Sequence, residues 1–113
     1  MLTIEKLRAF GADVDDGLGR CMKNESFYLR LVNMALADGG FDKLSASLDK
    51  GDLDSAFEAA HALKGILGNL ALTPIYAPAV ELTDKLRGRT PGDYSDLLRA
   101  ILEQRDKLAA LAE

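Results

Sequence analysis

The segment that decides the fold reads Asp52-Leu53-Asp54-Ser55-Ala56-Phe57-Glu58-Ala59-Ala60-His61-Ala62-Leu63-Lys64-Gly65-Ile66-Leu67-Gly68-Asn69-Leu70-Ala71. Ala56, Ala60, Leu63, Leu67 and Leu70 recur at the spacing of one helical face. Asp52 has the side chain that accepts from free N–H groups at a helix start. The segment therefore predicts a helix from Asp52 to about Leu70 or Ala71, buried along one stripe. His61 falls about 140° from the centre of that stripe, on the solvent side.

Working outward, the rest of the chain reads the same way. Thr73-Pro74 predicts a new helix, with Thr73 as cap and Pro74 at a position where a missing N–H costs nothing. It runs to about Leu86 or Arg87, and Pro78 implies either a start near Ala77 or a distorted first turn. Gly88 to Gly92 is a loop, and Asp93 caps a last helix carrying Tyr94, Leu97, Leu98, Ile101, Leu102, Leu108 and Leu111. Towards the N-terminus, Phe41, Leu44, Ser45 and Leu48 form a short amphipathic helix ending near Gly51. Asn24 caps a longer one that Asp38-Gly39-Gly40 stops, with Phe27, Tyr28, Leu31, Val32 and Ala35 on one face. Thr3–Phe10 and Val14–Met22 are two short helices. No stretch alternates with period two, so the expected fold is all-α. It is an up-down four-helix bundle built from the Asn24 helix and the three longest helices after it, with the short N-terminal helices as a lid.

The composition limits the function. A chain of 113 residues with 48 % hydrophobic and 28 % charged residues is a single globular domain, read here as residues 1–113. One Cys cannot form an internal disulfide, and one His with one Cys cannot build a zinc site of those ligands. The net charge of −4 argues against a nucleic-acid partner. No run is apolar enough for a signal peptide or a membrane span, so the expected setting is the cytoplasm, as a monomer. Any histidine chemistry must use His61.

The residues around His61 suit a phosphoryl group. A neutral imidazole has a free ring nitrogen and is a nucleophile. Lys64, three residues on, shares its side of the helix, and its ammonium can pair with phosphoryl oxygens. Gly65 and Gly68 each give up roughly 0.8–1.0 kcal/mol of helix stability relative to alanine. Around an exposed imidazole they clear space for another protein's backbone. Close helix packing is the other use of such glycines, and it suits Gly68, nearer the core border, better than Gly65.

His61-Ala62-Leu63-Lys64-Gly65, followed by Asn69-Leu70, resembles the signature of histidine-containing phosphotransfer (HPt) domains of bacterial phosphorelays. Ala71 stands where the family usually has Gly. Glu81-Leu82 resembles its next helix, and Thr83 falls where many members carry a polar residue near the histidine. The resemblance implies that His61 accepts a phosphoryl group from a receiver-domain aspartate, or a kinase, and passes it to another receiver. Lys64 would steady the phosphoryl oxygens, Gly65 would admit the receiver's loop, and Gly68 would border the partner surface. The implied partners are response-regulator receivers or a sensor histidine kinase. The Mg²⁺ would sit on the receiver, with no cofactor in this chain. Such a protein is a phosphoryl carrier rather than a turnover enzyme.

Other readings stand beside this one. A non-catalytic helical interaction module would keep the fold without the chemistry. A carboxylate enzyme is disfavoured, since no paired acids share a face. The initial Met favours a stand-alone protein over a piece of a hybrid kinase. Leu7, Phe10 and Leu18 are candidates for a docking surface or, more simply, for lid packing. Asp54, Ser55 and Glu58 read as solvated positions, and Arg87, Arg89 and Arg99 as ordinary surface charge.

Overall fold

Polar side chains set where the helices begin. In the computed structural model, which describes all 113 residues, the side chains of Thr3, Asp13, Asn24 and Asp52 accept hydrogen bonds from the backbone N–H groups of Lys6, Asp16, Phe27 and Ser55. Each satisfies a donor that a helix start leaves free. They open α1 (Ile4–Phe10), α2 (Val14–Arg20), α3 (Glu25–Leu36) and α5 (Leu53–Asn69). The other helices are α4 (Gly40–Asp49), α6 (Thr73–Leu86) and α7 (Ser95–Leu111), and there are no strands.

Several expected boundaries shift. Asp93 does not cap α7: Tyr94 takes that position without a side-chain bond, and the Asp93 carboxylate accepts instead from the N–H and hydroxyl of Ser95, the first helical residue. Gly40 is the first residue of α4 instead of a stop, its N–H donating to Asp38 Oδ2 at 2.7 Å. A Cβ there would lie 3.1 Å from the Leu63 side chain, so the glycine lets α4 start close against α5. Thr73 is not a cap, because Leu72 takes that position and its carbonyl accepts from Ile75 and Tyr76. Burial of the Leu72 side chain fixes the chain there and starts the helix one residue early. Pro78 neither delays nor ends α6, which begins at Thr73 and runs through it. The lost bond is the one to the Pro74 carbonyl, in the first turns of the helix.

α4 packs along α5, α5 along α6 and α6 along α7, so sequence neighbours are neighbours in space. This is the up-down four-helix bundle with additional N-terminal helices. Its fourth member is α4, whereas α3, which the sequence reading put in that place, lies mainly against α2 and α7. The reason is in the burial pattern. Phe41 and Leu44 of α4 are sealed into the core with Leu63 and Leu67 of α5, Leu82 and Leu86 of α6, and Ile101 and Leu108 of α7. Fully burying each such side chain contributes about 1.5–3 kcal/mol. Tyr28, Val32 and Ala35 of α3 join the same core.

Of the lid residues, Leu7 is fully buried and Phe10 and Leu18 pack half-buried on the core. Their role is packing. Cys21 is a free buried thiol. No helix is long and apolar enough to cross a membrane.

Candidate functional site

The stripe expected from the sequence is the buried one. Ala56, Ala60, Leu63, Leu67 and Leu70, with Ala59 added, face the core. That orientation turns the other side of α5 to solvent, where Asp54, Phe57, His61, Lys64 or Gly65, and Gly68 follow at helical spacing. His61 is exposed in the middle of this row, with structure of opposite kinds before and after it.

On the N-terminal side the surface is filled. The half-buried Phe57 ring lies one turn before His61, nearly parallel to the imidazole at 13°, with ring centres 5.8 Å apart. Arg89, from the α6–α7 loop, holds its guanidinium 4.1 Å from the centre of the Phe57 ring, and Arg87 lies at 5.5 Å. Arg89 Nε donates to Asp54 Oδ1 at 2.8 Å and Nη1 to the Arg87 carbonyl at 2.9 Å. The sequence offered Asp54 and Arg89 as ordinary solvated charges. They form the ion pair that ties the loop to α5.

On the C-terminal side the surface is open. A Cβ on Gly65 would have no heavy atom within 4 Å. Lys64 is half-buried and is in none of the seven ion pairs. Beyond them lies a hollow lined by Asp16 and Arg20 of α2, by Lys64, Gly65 and Asn69 of α5, and by Tyr76 of α6. Arg20 links two of these walls, donating to Asp16 Oδ2 at 3.2 Å and to Asn69 Oδ1 at 3.5 Å. Gly68 also borders the hollow, but a Cβ there would come within 2.9 Å of the Tyr76 ring. The packing of Tyr76 accounts for that glycine.

Below the hollow, Tyr28 of α3 donates its hydroxyl proton to the Leu70 carbonyl at 2.7 Å. Burial, with smaller contributions from Cys21, Asp13 and Asp16, pushes the phenol up from 10.0 to about 12. Gly17 makes room for it, since a Cβ there would stand 2.5 Å from the Tyr28 oxygen. After α5 the chain turns through Ala71 at φ 55°, and the Ala71 carbonyl accepts from Asp13 N at 2.9 Å. This left-handed turn is one that glycine makes most readily.

Thr83 engages its hydroxyl within its own helix. It is fully buried, and the hydroxyl donates to the Ala79 carbonyl at 2.7 Å. No group of three or more His, Cys, Asp or Glu side chains is placed to hold a metal ion. The sequence reading missed Phe57 and Arg89. Phe57 could have been found from its place four residues before His61, the spacing that brings side chains together on a helix. Nothing local marks Arg89, which reaches α5 across a loop.

Comparison with protein-family models matches residues 34–113, the end of α3 through α7, to the Hpt domain. No curated protein and no solved structure matches the chain.

Proposed function

The chain belongs to the Hpt domain family, whose members serve histidine phosphotransfer in phosphorelays, and from that premise we propose that His61 is the phosphoryl acceptor of this protein. A ring nitrogen of His61 attacks the phosphorus of a receiver's aspartyl phosphate. The N–P bond forms as the acyl-phosphate O–P bond breaks, and the carboxylate departs with the bonding pair. Transfer to a second receiver, or the return of the group to the first, is the same step reversed. Lys64 lies one turn from the imidazole, and its unpaired ammonium offsets the phosphoryl charge. Gly65 leaves room for the receiver's backbone, and the hollow bordered by Gly68 and Arg20 takes the side chains beside it. The Mg²⁺ and its acidic ligands come with the receiver. The protein carries the group and is regenerated by passing it on.

The observation that carries this reading is an exposed histidine followed, one turn along the helix, by an unpaired lysine and an open glycine. The test is incubation with a phosphorylated receiver domain, followed by assay for acid-labile, alkali-stable phosphate on this chain. Wild-type protein takes up the label and His61→Gln takes up none. Label that persists in His61→Gln places the chemistry elsewhere. No label from receivers competent with other Hpt domains would favour a binding module without phosphotransfer.

A further inference from the structure

An exposed histidine on a helix normally samples several rotamers, and an exposed arginine in a loop samples more. Here neither does so freely. The imidazole lies stacked on Phe57, and the nearer of the two arginines at that ring, Arg89, is held from four directions. Its guanidinium contacts Phe57, Asp54 and the Arg87 carbonyl. Its backbone N–H donates to the Leu86 carbonyl at 2.9 Å, at φ 53°, a conformation uncommon outside glycine. Backbone strain at a non-glycine residue persists only where surrounding contacts enforce it. A loop needed only to join α6 to α7 has no use for such contacts.

We infer that Phe57 is a positioning residue for His61, with Arg89 and Asp54 fixing the ring on which the imidazole rests. Resting on the phosphotransfer reading, the inference adds what sets the angle at which the nucleophile is presented. A receiver holds its aspartyl phosphate in a fixed pocket, so the imidazole must enter along one line. Orientation supplied in advance lowers the barrier to that step. A small phosphoryl donor approaches from any side and gains nothing from it.

His61 is the only histidine of the chain, so its ring signals in an NMR spectrum are assigned without ambiguity. The full chain is compared as wild type, Phe57→Leu, Phe57→Tyr and Arg89→Ala. Two rates are measured, phosphoryl transfer from a receiver domain charged with acetyl phosphate and direct labelling by phosphoramidate. In the wild type the His61 ring protons carry the upfield shift of a stacked aromatic neighbour. Phe57→Leu keeps an apolar side chain but loses that shift, and transfer from the receiver slows about 2- to 10-fold, the range a stacked aromatic pair spans. Its phosphoramidate labelling stays at the wild-type rate. Phe57→Tyr restores both the shift and the transfer rate. Arg89→Ala, which changes no residue of α5, moves both in the direction of Phe57→Leu.

Equal receiver transfer by wild type and Phe57→Leu overturns the inference. So does a Phe57→Leu loss that is equally large with phosphoramidate, or His61 ring shifts that do not move. Absence of receiver transfer in the wild type is a different result, and it sinks the underlying reading.

Discussion

The two flanks of His61 lie on one helix face, a turn away on either side, and are built on opposite plans. Before the histidine, Asp54, Phe57 and Arg89 interlock, with a loop fastened down over them. After it, Gly65 is bare, Lys64 has no acidic partner and the surface falls away into a hollow. The difference separates two demands on a transfer site. In the proposed phosphotransfer, one side would restrain the nucleophile, and the other would stay empty until a partner arrives. A site furnished on both sides would exclude the partner. One open on both sides would leave the imidazole to find its orientation during the encounter.

The comparison can be broken from below. The hollow depends on α2, and α2 lies close to α3 because Gly17 leaves room for Tyr28. Gly17→Ala puts a methyl 2.5–2.6 Å from a ring fixed by its own hydrogen bond. Overpacking of this kind costs about 1–3 kcal/mol, and the upper end is expected because the ring cannot yield. The midpoint of urea unfolding reads it directly. A variant as stable as the wild type would mean that α2 is free to shift.

The open flank can be closed without touching the fold. Gly65→Leu places a side chain where no neighbour stands, so stability holds or rises, since leucine favours helix over glycine. Transfer from a receiver should fall about 30-fold or more, corresponding to about 2 kcal/mol at a docking contact. Labelling by phosphoramidate should continue. Undiminished receiver transfer would show that the partner docks elsewhere.

A smaller effect tests the floor beneath that flank. Tyr28→Phe loses the bond to the Leu70 carbonyl, at about 1 kcal/mol. The pH dependence identifies the cause. Below pH 10 the phenol is neutral in both the folded and the unfolded chain. Between 10 and about 12 it ionises in the unfolded chain before it does so in the folded one, so wild-type stability falls through that window. Tyr28→Phe lacks this contribution, and the gap between the two proteins narrows as the pH rises. A gap that stays constant to pH 12 would mean that Tyr28 titrates as if exposed.

Much of this was legible before the structure, for reasons that can be named. The caps at Thr3, Asn24 and Asp52 are local chemistry, complete within four residues. The buried stripe of α5 and the exposure of His61 follow from periodicity, and Lys64 and Gly65 from spacing along the same helix. Contacts that close over long stretches of chain were not legible. The pairing of Arg89 with Asp54 spans 35 residues. The clash that makes Gly68 a packing residue comes from Tyr76 in the next helix. Thr73 has the right residue type for a cap, but the burial of Leu72 claims the position. Ala71 read only as a departure from the family's glycine. The structure gives the departure a meaning, a left-handed turn made by a residue that prefers not to make it.

The order of packing also has a consequence in time. α4, α5, α6 and α7 meet their neighbours across short connections, whereas α1 reaches α7 only by bringing distant parts of the chain together. Contacts between sequence neighbours form early in folding, and those that close long loops come late. The helix that carries His61 is therefore expected to assemble with α4, α6 and α7 as a local unit, with α1, and α2 attached to it, docking late. The native protein opens in the reverse order, with amide exchange in α1 and α2 running ahead of α5 as its signature. Each such opening removes one wall of the hollow and leaves the stack on His61 in place.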